Sequence, residues 1–171
     1  MSRIECSASE VLSQALEWLP KGAFLTVRHG NRINTMTIGW ATGGIMWTRP
    51  VLMVAVRRSR HTYDLMERAP DFTVSVPTDD AMKEALAYCG THSGRDVDKV
   101  AQAGLQLAEG SAVASPVIGL NGIHFECTTV HRESMSPERM APALSGMYPR
   151  DDYHSFYFGE IAACYRTDQN G

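Results

Sequence analysis

Two short stretches of the chain concentrate hydrogen-bond donors. Asn34, Thr35, Met36 and Thr37 follow one another in an alternating segment, and Arg57, Arg58, Ser59, Arg60, His61 and Thr62 follow an apolar run that ends near Val56. A phosphate monoester carries a charge of about −2 and several strong acceptor oxygens. A site for one therefore gathers hydroxyls, cations and a helix N-terminus, and the second stretch offers all three. Each stretch also has a plainer account, because hydroxyls suit β-strands and arginines at a strand end form a solvated rim. A third polar stretch runs Tyr88-Cys89-Gly90-Thr91-His92 and then Ser93-Gly94-Arg95-Asp96-Val97-Asp98-Lys99. Its cations, acids and flexible glycine suit a loop that wraps a polar ligand, or equally a charge-balanced surface turn.

Other chemistries find less support. His124, Glu126, Cys127 and His131 are metal-ligand types, but strand alternation places His124 and Glu126 on one face and Cys127 on the other, so no shared metal is expected. There is no Gly-x-Ser-x-Gly elbow, Walker loop or Gly-x-Gly-x-x-Gly turn, which leaves hydrolase, nucleotide triphosphatase and Rossmann readings without a foothold. The net charge of −3 and pI near 6.0 give no broad basic field for nucleic acid or an anionic membrane. No apolar run approaches the ~20 residues that cross a bilayer. Cys6, Cys89, Cys127 and Cys164 are widely spaced with no CxxC pair, which suggests reduced thiols and a cytoplasmic location.

The 171 residues fit one domain around a single core. Ser7 and Glu10 form a capping box, and Val11, Leu12, Ala15, Leu16 and Leu19 fall on one helical face until Pro20. Residues 23–28 and 33–40 read as a β-hairpin turned at His29-Gly30-Asn31-Arg32. A looser segment at 42–49 precedes a buried strand at 51–56 and a short helix at 62–68. Residues 72–76 alternate as a strand. Thr78, Asp79 and Asp80 cap a helix expected at 81–87, and residues 96–104 have room for another helical turn or two. Further strands are expected at 123–130 and 156–165. Between them, residues 133–152 form a long Met-, Pro- and Ser-rich loop of the kind that covers a site. Five or six short strands without regular βαβ alternation predict a mainly β fold, an antiparallel barrel with peripheral helices.

Taken in order, Asn34-Thr35-Met36-Thr37-Ile38-Gly39-Trp40, Arg60-His61-Thr62-Tyr63, Tyr88-Cys89-Gly90-Thr91 and Ser93 to Lys99 resemble the flavoredoxin branch of the flavin reductase-like family. The resemblance extends over about residues 22–165, with Phe125-Glu126-Cys127 on a late strand and His154 ahead of Phe158-Gly159-Glu160-Ile161. It implies an FMN-binding split barrel, a homodimer with flavin at the subunit interface, and electrons arriving from NADH, NADPH or a protein donor. By the same resemblance, Asn34, Thr35, Met36 and Thr37 run beside the isoalloxazine ring, and Arg57, Arg60, His61 and Thr62 lie near the phosphate. Ser93, Arg95 and Lys99 belong to a loop that closes over the ligand.

Reduced flavin gains negative charge, which makes Lys99 a candidate cation, although a salt bridge to Asp96 or Asp98 is an equally good account of it. Met36 and Trp40 are candidates to pack on the ring or in the core. His154 stands where the family sets a histidine near flavin and nicotinamide, and an imidazole can orient the donor or exchange a proton. Residues 133–152 and Tyr153-His154-Ser155 depart from the family pattern, which leaves the electron donor and acceptor open. The expected function is an FMN-dependent oxidoreductase that takes hydride from NAD(P)H and passes electrons to free flavin, a small acceptor or a partner protein. The alternatives are a noncatalytic FMN electron carrier and a flavin-storing or sensing module.

Overall fold

Period-two alternation organises the core. In the computed structural model, which describes residues 2–168, strands β2 (Ala23–His29), β6 (Asp71–Pro77) and β9 (Gly122–Ser134) turn alternate residues inward. Leu25 and Val27, then Phe72, Val74 and Val76, then Ile123, Phe125 and Cys127 pack in one main cluster with Val54, Val56 and Tyr157. Truncation of a side chain such as Phe125 to alanine would cost about 3–5 kcal/mol. The opposite faces are of two kinds. Phe24 joins a second cluster with Leu86, Cys89, Leu105, Ile118 and Leu120, whereas Thr73, Ser75, His124 and Glu126 make a buried polar layer.

The remaining elements are β1 (Ser2–Glu5), α1 (Ala8–Trp18), β3 (Arg32–Ile38), β4 (Ala41–Met46), β5 (Arg49–Arg57) and α2 (His61–Met66), followed by α3 (Lys83–Thr91), α4 (Lys99–Gln102), β7 (Leu107–Ala108), β8 (Val117–Ile118) and β10 (His154–Asp168). All ladders are antiparallel, and the main sheet runs β3-β2-β6-β9-β10-β5-β4 with β1 added to β10. The sheet curls into a barrel that is not closed by a ladder. At its seam β3 faces β5 without pairing, and where the chain turns from β3 into β4 the Ala55 N–H of β5 donates to the Trp40 carbonyl at 3.3 Å. Helix α2 lies against β2, β3 and β5 across this seam.

The mainly β fold with peripheral helices agrees with expectation, but several elements differ. There are ten strands among the described residues rather than five or six, and two of them are long. The segment at 42–49 is no loose stretch, because β4 pairs with β5 around a turn at Trp47 and Thr48, which adopt φ of 51° and 60°. Gly43 makes that strand possible by packing against α1, where a Cβ would stand 2.4 Å from Leu12 Cδ2. Helix α3 starts at Lys83 instead of 81, since Asp79 accepts from the Ala81 N–H and closes a turn first. Leu16 faces outward rather than joining the apolar stripe of α1. The 133–152 stretch is shorter than a full loop, because β9 extends to Ser134, and two 3₁₀ turns, Pro137–Arg139 and Pro142–Met147, follow it.

Candidate functional site

The seam gathers most of the donor-bearing residues. On β3, alternation separates the four residues that sequence had grouped together. Asn34 and Met36 face the seam, and Asn34 Nδ2 donates to Thr62 Oγ1 on α2 at 2.7 Å. Thr35 turns away: it is fully buried, accepts from Thr26 Oγ1 at 3.1 Å and donates to the Leu25 carbonyl. Thr37 turns away too, and donates to the Leu86 carbonyl on α3 at 2.6 Å. Either threonine would therefore serve a ligand through its main chain. As an edge strand, β3 has alternate N–H and C=O groups outside the ladder.

A cavity of about 120 Å³ lies between the start of α2 and the 91–99 loop, lined by Met36, Ser59, Arg60, His61, Thr62, Ser93, Gly94 and Lys99 among others. Gly94 lets the loop approach β3, because a Cβ there would stand 2.0 Å from Asn34 Oδ1. Lys99 is buried, and its Nζ has one polar contact among the described residues, the Cys89 carbonyl at 3.3 Å. It makes no ion pair with Asp96 or Asp98. Asp98 instead caps α4, accepting from the Ala101 N–H. Burial, reinforced by the charge of Arg60, draws the Lys99 ammonium below its ordinary value against an opposing pull from Cys89. His61 Nδ1 is sealed from solvent without a hydrogen-bond partner, 3.6 Å from Asp64 Oδ2. Two guanidinium Nε atoms, of Arg28 and Arg166, are sealed in the same way elsewhere. Arg60 Nη1 donates to the Gly90 carbonyl at 3.0 Å. Ser93 Oγ accepts from the Arg95 N–H, and Arg95 clamps the loop to the turn before α2 through Ser59 O at 3.0 Å and to α2 itself through Asp64 Oδ2 at 2.6 Å. Arg95 thus braces the loop rather than lining the small cavity. Because α2 has only six residues, the donors on its side chains outweigh its dipole.

A second cavity of about 160 Å³ continues along the seam, lined by Met36, Thr37, Ile38, Gly39, Trp40, Ala55, Arg57, Arg60 and His154. Trp40 is 42% exposed, so it belongs to this surface and not to the core, whereas Met36 serves both. The Trp40 ring lies 4.7 Å from that of His154. Arg57 is tied to the carbonyls of Asp152 at 2.8 Å and Met147 at 3.2 Å. Burial, with the nearby charges of Arg57 and Arg60, brings the His154 imidazole down to about 4, against an opposing pull from Asp152. It is neutral at neutral pH, which suits a hydrogen-bonding role better than proton exchange there. Tyr148, which sequence reasoning did not single out, is buried with its hydroxyl 2.7 Å from His154 Nδ1. A third, open cavity of about 820 Å³ adjoins the first along Asn31–Thr35 and residues 94–100.

A family model for the flavin reductase like domain matches residues 21–171. The chain belongs to this family. An uncharacterized protein of Archaeoglobus fulgidus is 32% identical over 123 residues, 71% of this chain and 68% of its own length. Among solved structures, flavoredoxin from Methanosarcina acetivorans is 26% identical with a TM-score of 0.67, covering 86% of this chain and 69% of that one. The NADH:FAD oxidoreductase SgcE6 of Streptomyces globisporus is 20% identical with a TM-score of 0.63, covering 85% of this chain and 75% of that one, and shares the fold. The family's split barrel is the seamed barrel described above. No helix among the described residues is long and apolar enough to cross a membrane.

Proposed function

We propose that the chain binds FMN along the seam and acts as an FMN-dependent oxidoreductase, taking hydride from NADH or NADPH and passing electrons to free flavin, a small acceptor or a partner protein. The observation that carries this reading is the meeting of Arg60, His61, Thr62, Ser93 and Lys99 around one small cavity, with a buried ammonium that has a single carbonyl contact among them. A phosphate monoester fits that donor set, since burying unpaired donors is costly unless an acceptor meets them. Bound FMN would supply a ring that accepts hydride and releases electrons.

The chain's own residues divide the remaining work. Arg60, Thr62, Ser93 and Lys99 hold the phosphate, while Arg57 lines the neighbouring cavity instead. The free edge of β3 offers main-chain donors to the polar rim of the ring, Met36 and Trp40 offer it apolar surface, and His154 meets the incoming hydride donor. Kinship with flavoredoxin also favours a second reading, a carrier that exchanges electrons only with redox proteins. The β4–β5 hairpin supports a homodimer: Ile45 is 76% and Trp47 52% exposed, and the Trp47 ring borders His131 and Phe158. An apolar face of this kind marks an association surface.

The visible spectrum of purified protein, recorded before and after NADH or NADPH, tests the function. A flavin spectrum that bleaches supports the enzyme, and one that responds only to reduced redox proteins supports the carrier. Titration calorimetry with FMN and riboflavin tests the phosphate site, where equal affinities would remove it. Light scattering at micromolar concentration tests the dimer, and a monomeric mass for FMN-loaded protein would end that reading.

A further inference from the structure

The stretch between β9 and β10 returns one side chain to the seam. Most of its residues are exposed, yet Tyr148 is buried with its hydroxyl 2.7 Å from His154 Nδ1. Arg57 holds the same stretch from beneath, donating to the carbonyls of Met147 and Asp152, and its guanidinium carbon lies 5.0 Å from the Tyr148 ring centroid. The Tyr148 ring meets that of His154 edge-on, at an interplanar angle of 79°. His154 lines the seam cavity, and among the described residues its Nε2 makes no hydrogen bond.

We propose that Tyr148 is a positioning residue: its hydroxyl donates to Nδ1 and holds His154 as the Nε2–H tautomer, so that the site presents one fixed, neutral N–H donor to an acceptor atom of the hydride donor, such as a carboxamide oxygen. The step to a hydride donor rests on the function proposed above. The direction of the hydrogen bond follows from the partners. A phenol is a stronger donor than a neutral imidazole, and the imidazole lone pair is a stronger acceptor than a phenol oxygen. The reverse arrangement would leave the phenol proton without an acceptor, since the hydroxyl has no other partner among the described residues. Arg57 and Arg60 do not compete for the Nε2 lone pair, because their hydrogen bonds go to main-chain carbonyls. Burial pushes the Tyr148 phenol up, against the opposing charge of Arg57, so it keeps the proton it donates. Whichever nitrogen of a histidine bears the proton is set by the bond at the other nitrogen, and here that bond comes from a segment outside the barrel.

Long-range proton–nitrogen spectra of the full chain, labelled with ¹⁵N-histidine and recorded at neutral pH with and without FMN, test the assignment. The wild-type protein is expected to show a pyridine-type Nδ1 and a pyrrole-type Nε2 for His154. Tyr148→Phe, which keeps the ring and loses the hydroxyl, is expected to move both signals toward the tautomer average. It should also weaken the apparent affinity for NADPH about 3–10-fold, as for one lost hydrogen bond, with FMN affinity unchanged. A role in packing alone predicts no such change. A pyrrole-type Nδ1 in the wild type overturns the proposal without any variant, and so does an unaltered tautomer pattern in Tyr148→Phe. If the pattern holds but NADPH and NADH never bleach the bound flavin, the hydride-donor step falls with the proposed function and the tautomer assignment stands.

Discussion

The two polar regions of the barrel treat their buried groups in opposite ways. In the layer under β7 and β8, Glu126 accepts from the Ser111 hydroxyl at 3.0 Å and the Ala112 N–H at 2.6 Å, with Arg3 3.9 Å away. Asp71 accepts from the main-chain N–H groups of Ala114 and Ser115, and His124 bridges Ser75 and Thr167. At the seam, Lys99 has a single carbonyl, His61 Nδ1 has no hydrogen bond and lies 3.6 Å from Asp64 Oδ2, and only one nitrogen of His154 is engaged. Both regions pay the desolvation of polar groups, but the carboxylates and the imidazole of the first recover it within the chain, with Arg28 Nε beside them as its exception. A saturated network supports a fold, and donors left over in a cavity support binding.

The sharpest way to break this contrast is to remove an acceptor from the saturated layer. Glu126→Ala strands the Ala112 N–H and the Ser111 hydroxyl and should destabilise the chain by about 3 kcal/mol in urea unfolding, with FMN affinity unchanged once folded. Acid acts on the same layer. Burial lowers His124 from 6.5 to about 4, so below 6.5 the unfolded chain binds the proton more readily. The His124 contribution should therefore be lost as pH drops from 6.5 to about 4, below which protonation of Glu126, held under its ordinary value, continues the fall. In His124→Gln the fall between 6.5 and 4 measured by thermal melts should be shallower.

Removing a donor from the seam should have the opposite profile. Lys99→Met should weaken FMN binding about 10–100-fold by calorimetry while leaving the melting temperature equal or higher, because a poorly partnered buried ammonium is lost. Equal losses of stability and affinity would erase the distinction between the regions. A smaller effect is expected at His154, where the alanine variant should keep FMN affinity and slow flavin reduction by NADPH about tenfold in stopped-flow. With its pKa near 4, the wild-type rate should show no inflection from His154 between about pH 6 and 8. A control outside both regions is the smallest: Thr48→Gly relieves a positive φ at a β-branched residue and should stabilise by about 1 kcal/mol without touching FMN affinity.

That control also marks where the sequence was hard to read. The β2–β3 hairpin was legible because Gly30 and Asn31 stand in its turn, and Gly30 has the left-handed φ of 57° that such a turn needs. The β4–β5 hairpin was not, since Trp47 and Thr48 occupy positions where glycine or asparagine is the usual signal. Donor clusters were legible as local composition. Their orientation was partly legible as well: period-two alternation alone separates Asn34 and Met36 from Thr35 and Thr37, although the four had been read as a unit. What local pattern could not carry were the long-range approaches. The burial of Lys99 depends on α3, and the burial of Tyr148 depends on a segment that leaves the barrel and comes back.

One missing methyl group sets how these two regions stand to each other. β10 begins with His154 at the seam and carries, one residue before its end, Thr167, which donates to the Leu120 carbonyl beside His124. Between them its register with β9 slips twice, at Phe158/Gly159 and at Ile161/Ala163. At Gly159 a Cβ would stand 2.6 Å from both Cys127 Cβ and Phe72 Cζ, so the backbone packs against the core there only because the residue is glycine. The two slips bend β10. One strand therefore serves both regions, lining the seam cavity at its first residue and the polar layer near its last.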